Sequence, residues 1–374
     1  MSPTNLSSVW IKALLFVWLA IHGIGTAYAD CSAPAPVCAW MPKIVGIKTP
    51  NMIASGVQIS ADFIVTNRHV AEDHQQVLTR NHKAALRPAV PIPHDFAADL
   101  VMLRLQDSDA MLPTKVDVAP KSSSQLYVVG FDQGRNASRV YKPAEFAHYP
   151  DSTAFPQARI HTDARALPGN SGGAVVDADG RLVGILASGD GKLSEVIPAE
   201  HINAVLSRSG PEHETAFFDQ GRAVRICADT LYFAAEIPRN PPLPLIRKIT
   251  DNCRKANNKQ LYDQAGQLFG KWWMFAESEQ FLLLGQAADP NSPNTLMSLA
   301  VTYHLDRQPK KGRPILKRYL ELDPSNAQAL RLGIQTAGLL KDQAFADEVL
   351  ELMSQHNPAA LPLAESFIKE AFGN

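Results

Sequence analysis

A chain of 374 residues that is 45% hydrophobic and 20% charged can build two or three packed domains and fill their cores, which excludes an intrinsically disordered chain. Lys and Arg number 36 against 37 Asp and Glu, a formal net charge of -1, so nothing in the balance points to nucleic acid or to a polyanion. Proteins or peptides are the partners this composition suits.

Lys12 precedes a short apolar run at 13–21, and Ala27-Tyr28-Ala29 follows it, ahead of Asp30. A basic start, an apolar core too short to span a bilayer and small residues before the cut describe a secretory signal peptide, residues 1–29, cleaved after Ala29. Asp30 before Cys31 does not fit a lipoprotein signal. The mature chain is then periplasmic or secreted, with no membrane span left after cleavage. Outside the reducing cytosol the four cysteines can pair. Of the three connectivities the most local is chosen: Cys31 with Cys38 in an N-terminal arm (30–42), and Cys227 with Cys253. No Cys-x-x-Cys occurs, and nothing in the chain asks for a metal or an organic cofactor.

From residue 43 the pattern is short and β-like: Lys43-Ile44-Val45-Gly46-Ile47, Gly56-Val57-Gln58-Ile59-Ser60, Phe63-Ile64-Val65-Thr66, Gln76-Val77-Leu78 and Leu100-Val101-Met102-Leu103-Arg104-Leu105. A polar break at 120–124 separates these from a second set, which runs from Gln125-Leu126-Tyr127-Val128-Val129-Gly130 through Arg139-Val140-Tyr141 and Arg159-Ile160-His161-Thr162 to Gly180-Arg181-Leu182-Val183-Gly184-Ile185-Leu186. Apolar runs broken by Gly, Pro, Asn and Asp about every ten residues predict two barrel-like β units. A short helix over 199–206 closes the second.

The composition changes after Gly210-Pro211. Pro238-Arg239-Asn240-Pro241-Pro242-Leu243-Pro244 can be neither helix interior nor central strand, so residues 210–258 read as a Pro-rich connector pinned by its cysteine pair. Beyond it Pro290, Pro324 and Pro358 stand 34 residues apart, each after Asp or Asn. That period with a helix-ending proline is the tetratricopeptide signature. Tyr262, Ala265, Gly266 and Phe269 occupy its interior positions, as do Leu296, Leu299, Ala300 and Tyr303, and more weakly Leu330, Gly333, Ile334, Ala337 and Ala346. Residues 259–374 are therefore read as helical repeats for a protein partner, ending in a capping helix. An irregular helical bundle is the alternative.

One stretch invites chemistry. Leu167-Pro168-Gly169-Asn170-Ser171-Gly172-Gly173 runs straight into Ala174-Val175-Val176, setting a serine on a tight loop where backbone N–H groups can reach a substrate carbonyl. Upstream, His69 follows the apolar strand Phe63-Ile64-Val65-Thr66, and Asp99 opens another, Leu100-Val101-Met102-Leu103. Alone, each is an ordinary turn or strand-end residue. Their order of His, Asp and Ser is that of the chymotrypsin-like serine peptidases.

Residues from about 54 to 207 resemble a trypsin-like serine peptidase of the HtrA/Deg type. The resemblance rests on Val65-Thr66-Asn67-Arg68-His69-Val70, Asp99-Leu100, Thr162-Asp163-Ala164, Pro168-Gly169-Asn170-Ser171-Gly172-Gly173-Ala174, Asp179-Gly180-Arg181-Leu182-Val183-Gly184-Ile185 and Ile197-Pro198. It implies an all-β double barrel over 43–209, followed by the all-α repeat domain. It also implies His69 as general base, Asp99 as its orienting acid, Ser171 as nucleophile and the N–H groups of Gly169 and Ser171 as oxyanion hole. Leu186, Ala187 and Ser188 would pair with an extended substrate, and Arg165, six residues before Ser171, falls near the floor of the primary pocket. An inward Arg165 would favour acidic side chains, although a long Arg can also turn to solvent.

Three departures stand out. Arg68 replaces the Asn or small residue usual before the His. Tetratricopeptide-like helices stand where the family carries PDZ domains. Lys43-Ile44-Val45-Gly46 looks like a zymogen cleavage site, but Asn170 has no charge to pair with a new amino terminus, so this is read as plain strand. The function expected is that of an exported serine endopeptidase. A catalytically silent peptidase-fold scaffold whose repeats bind protein is the alternative.

Overall fold

The computed structural model describes residues 31–113, 115–118, 125–133, 135–189 and 193–373, and the signal peptide expected at 1–29 lies outside them. Cys31 and Cys38 are disulfide-bonded, tying the first described residue to a one-turn helix α1 (Ala35–Cys38). Then β1 (Ile44–Lys48), β2 (Ile53–Gln58), β3 (Phe63–Thr66), a one-turn helix α2 (Arg68–Ala71), β4 (Val77–Arg80), β5 (Leu86–Ile92) and β6 (Val101–Leu105) follow. The six strands close into a barrel in the order β1-β2-β3-β6-β5-β4. Ile44 pairs with Val57 inside β1 and β2, so Ile44-Val45-Gly46 is ordinary strand sequence, and Lys43 ends the 3-10 turn before it. β5 has no counterpart among the sequence-derived strands because Pro88 and Pro91 interrupt it, and proline demotes a strand. The prolines lose only their donors. The Pro88 carbonyl still accepts from the Gln106 N–H at 3.0 Å.

The second β unit comprises β7 (Leu126–Asp132), β8 (Ala137–Val140), β9 (Ala147–His148), β10 (Ile160–Thr162), β11 (Ala174–Asp177), β12 (Leu182–Gly189) and β13 (Ser194–Pro198). They form a half-barrel in the order β8-β7-β11-β12-β13-β10-β9. One core lies between the two units, where Val57, Phe63, Val65 and Met102 meet Val129, Val176, Ile185 and Ile197. Helix α3 (Glu200–Ser207) seals it with Ile202 and Val205.

Residues 210–258 are a helical hairpin rather than the expected connector, made of α4 (Glu214–Ala234) and α5 (Leu243–Ala256). The prolines that suggested a connector are confined to the link between them, and Pro244 sits in the first turn of α5, where its missing N–H costs no helical bond. The fully buried Cys227–Cys253 disulfide joins the two helices. Helix α4 also packs on the first barrel. Phe217 enters the barrel's core cluster and lies 3.7 Å under the Arg68 guanidinium.

Three helix pairs follow: α6 (Lys259–Lys271) with α7 (Phe275–Ala288), α8 (Pro293–Leu305) with α9 (Pro309–Leu322), and α10 (Ala327–Leu340) with α11 (Gln343–His356). Helix α12 (Leu361–Phe372) ends the described chain. Each pair starts 34 residues after the one before, and so does α12, in step with the spacing of the prolines. The residues read as interior positions are buried, among them Ala265, Phe269, Leu299, Ala300, Leu330 and Ala337.

Close packing of α4 on the loop after α2 yields a test. A Cβ on Gly221 would collide with the Glu72 carbonyl and the Arg68 guanidinium, whereas one on Gly312 meets only Tyr303 Cβ, at an ordinary 3.6 Å. Gly221→Ala is expected to cost about 1–3 kcal/mol in chemical unfolding. Gly312→Ala, in the first turn of α9, should be neutral or stabilising by up to about 1 kcal/mol. Equal effects would contradict the packing described.

Candidate active site

His69 and Asp99 are joined by the backbone before their side chains meet. The chain leaves β3 through Asn67, whose Nδ2 donates to the Asp99 carbonyl at 3.3 Å, and the Arg68 N–H donates to the same oxygen at 3.1 Å. The Asp99 carboxylate then accepts the His69 N–H at 2.9 Å on Oδ1 and His69 Nδ1 at 2.7 Å on Oδ2. With Nδ1 committed to donation, Nε2 is left to accept a proton.

Asp99 is 4% exposed. Burial pushes its carboxyl up, but the hydrogen bonds and charge of His69 and the charge of Arg159 more than offset this, and Asp99 is held below the usual carboxylate range. Arg159 is itself fully buried, with Nη2 3.6 Å from Asp99 Oδ2 and no hydrogen-bond partner on any of its three nitrogens. Sequence reading passed over it as one residue of a strand.

Ser171 stands on a turn in which the Asn170 N–H donates to the Leu167 carbonyl at 3.0 Å. Gly169 has φ +96°, the left-handed value that such a turn after proline requires. Asn170 is completely buried. Its Oδ1 accepts from the Leu167 N–H at 2.8 Å, and Nδ2 donates to the Phe131 carbonyl and the Tyr141 hydroxyl at 3.1 and 3.0 Å. A neutral side chain thus secures the loop from within.

Ser55 does the same from the other barrel, and no motif announced it. Its N–H donates to the Ser171 carbonyl at 2.7 Å, and its Oγ donates to the Gly169 carbonyl at 2.6 Å while accepting the Phe131 N–H at 2.8 Å. Gly172, at φ +86°, lies so close that a Cβ would strike the Ser55 carbonyl and the Thr66 hydroxyl. Because Thr66 leads into Asn67, Arg68 and His69, this contact seats the serine loop against the histidine segment. Among the described residues, the Gly169 and Ser171 N–H groups have no protein acceptor, and no hydrogen bond yet links Ser171 to His69. Apo sites often close that last bond only around substrate.

A cavity of about 650 Å3 opens beside Ser171. Leu186, Ala187, Ser188 and Arg165 line it. Arg165 is exposed.

The trypsin-like peptidase domain family matches residues 54–185. Residues 54–185 form a trypsin-like peptidase domain. The serine endoprotease DegS of Haemophilus influenzae is 28% identical over 157 residues, which cover 41% of this chain and 46% of that protein. A probable periplasmic serine endoprotease, DegP-like, of Pseudomonas fulva is 33% identical over 144 residues, covering 36% and 28%. Among solved structures, the HtrA-type protease AlgW with a tripeptide is 23% identical, covers 46% of this chain and 62% of that one, and has a TM-score of 0.39. The chain spans less than half the length of the two curated relatives.

The helical region reaches the peptidase domain through buried charge. Lys259, the first residue of α6 and fully buried, bonds Glu195 of β13 and lies 3.0 Å from Asp263 one turn along its own helix. Glu195 accepts in turn from Ser188 Oγ at 2.9 Å, on the edge of the cavity. Burial opposes ionisation of Glu195, but Lys259 prevails and holds its carboxyl at about 2. Burial pushes Asp263 the other way, helped by the charge of Glu195. Farther along, Asp289 at the end of α7 accepts the Arg159 N–H at 3.1 Å and His161 Nε2 at 2.9 Å.

Removing the cation leaves Glu195 buried without its partner, so Lys259→Met is expected to cost about 3–5 kcal/mol at pH 7 in chemical unfolding. A depressed carboxyl stabilises above its unfolded value and ceases to as pH falls through its folded value. The deficit should therefore narrow between about pH 4.5 and the folded value of about 2. Adding Glu195→Leu should recover most of the loss at pH 7, and additive costs in the double variant would show the pair to be uncoupled.

Proposed function

We propose that the protein is an exported serine endopeptidase that hydrolyses protein substrates through an acyl-enzyme. The observation that carries this is the His69–Asp99 pair, held at 2.7 Å by a buried carboxylate, next to a glycine-flanked serine with two unengaged N–H groups. Ser171 Oγ attacks the scissile carbonyl as His69 Nε2 takes its proton, and the N–H groups of Gly169 and Ser171 receive the oxyanion. Collapse expels the amine, which takes the proton from His69. Water, activated by the same imidazole, then releases the acyl group. Asp99, kept ionised by His69 and Arg159, stabilises the imidazolium that forms at each step.

The cavity beside Ser171 is read as the primary substrate pocket, with Leu186, Ala187 and Ser188 of β12 pairing with an extended peptide. Export to the periplasm or beyond is supported by the signal-like start, the two disulfides and the probable periplasmic relative, and no described helix is long and apolar enough to cross a membrane. The 34-residue helix pairs are read as tetratricopeptide-like repeats that hold a protein partner.

Fluorophosphonate labelling of the purified protein tests the nucleophile. Ser171→Ala is expected to abolish labelling and to lower kcat on casein or peptides about a millionfold. Asp99→Asn should cost about 10^4 in kcat. Turnover that survives Ser171→Ala unchanged would replace this reading with that of a silent scaffold.

A further inference from the structure

We infer that Lys259, the first residue of α6, is a positioning residue for the substrate: acting through Glu195 it fixes Ser188, and with it the edge of β12 on which an extended peptide pairs. The inference rests on the peptidase reading above and adds to it a part for the helical region in substrate binding.

The serine loop pins this edge at one end. Leu186 donates its N–H to the Gly173 carbonyl at 2.9 Å, and its own carbonyl accepts the Gly172 N–H at 2.8 Å. Beyond Leu186 the pairing of β12 with β13 is interrupted. Leu186 lies opposite Val196 and Ser188 opposite Glu195, so Ala187 is an extra residue with none facing it. Such a bulge breaks the ladder and bends the strand, so that backbone pairing alone holds it less firmly. Leu186, Ala187 and Ser188 all line the cavity beside Ser171, which puts the bulge where substrate would pair. A side chain supplies the second pin: Ser188 Oγ donates to Glu195 Oε2 at 2.9 Å.

Glu195 serves as that acceptor because of Lys259. A carboxylate buried in β13 needs a cation to stay ionised, and the Lys259 ammonium bonds its other oxygen, Oε1. The lysine is itself held in place. It is fully buried, its Nζ also lies 3.0 Å from Asp263 Oδ2, its N–H donates to Gln157 Oε1 at 2.9 Å, and Asn258 caps the helix by accepting the Leu261 N–H at 3.1 Å. The contacts therefore run from the start of α6 through Glu195 to Ser188 with a fixed polar group at each link. A peptide added to a strand edge is held by main-chain hydrogen bonds, and these weaken steeply as donors and acceptors move out of line. Lys259 thus bears on substrates that reach along the edge, and far less on a reagent that meets Ser171 alone.

The test uses the full mature chain and two phosphonates that label a nucleophilic serine. Both carry the same alanyl group beside phosphorus, and one extends by two further residues that pair with the edge. Wild type should be labelled faster by the longer probe. In Lys259→Met combined with Glu195→Leu, where the carboxylate leaves together with its cation, the long-to-short rate ratio is expected to fall about fivefold to tenfold. Ser188→Ala breaks the same contacts at their other end and should lower the ratio in the same direction, whereas Ser188→Thr keeps the hydroxyl and should retain most of it. A ratio unmoved in either the combined variant or Ser188→Ala, an equal fall with both probes, or a wild-type ratio of one would overturn the inference while leaving the peptidase reading intact. A wild type that neither probe labels would sink the peptidase reading, and this inference with it.

Discussion

A carboxylate taken out of water must be met by positive charge or by donors, and this molecule buries four of them along one seam. Asp99, Glu195, Asp263 and Asp289 are each buried. Their compensation orders the surrounding structure. Asp99 draws in His69 and Arg159, Glu195 and Asp263 share Lys259, and Asp289 receives His161 and the backbone of Arg159. Because Arg159 directly precedes β10 and His161 lies within it, the charge beside the candidate triad and the charge at the end of α7 are set by the same three residues. The seam is unforgiving: deleting one partner strands a buried charge, while replacing a whole pair by apolar groups costs far less. Its conservative use is to fix position, and the positions fixed are those around Ser171.

The serine loop obeys a different constraint. Its carbonyls and amides are enclosed between two β units, so each must be satisfied from within, and uncharged groups do this. Ser55 supplies bonds from the first barrel and Asn170 from inside the loop. Gly172 allows the approach, since any larger residue would push the loop off Thr66 and hence away from His69. The loop's shape therefore depends on no new amino terminus. Among the described residues, the Gly169 and Ser171 N–H groups of this loop donate to no protein acceptor.

Helical structure is part of the site's support on both sides. Helix α4 carries Phe217, whose carbonyl and ring engage Arg68 next to His69, and α6 carries Lys259 and Gln260 to the pocket. On the proposed reading, a partner held by the repeats would bear on α6 and through it on the pocket edge. Arg68, an unusual residue in sequence, is thus accounted for as a clamp to a helix outside the matched residues 54–185.

Much of this was legible without coordinates, where the signal was local. His69, Asp99 and Ser171 stood in recognisable contexts, the disulfide partners were near in sequence, and a 34-residue period survives in any plot of proline. Local signals failed where two rules competed. In β5 proline obscured a strand, and around residues 238–244 it obscured two flanking helices, because proline's effect reaches only its own turn. By itself, then, the sequence determined the order of the reactive residues, the β-then-α plan and the cysteine pairs, since each is written in neighbours or in a period. Only the tertiary structure decided that Ser55, Arg159, Glu195, Lys259 and Gln260 gather about one serine. Their importance comes from burial and from contacts across as many as 130 residues, as between Arg159 and Asp289, and neither can be read from a residue's neighbours in the chain.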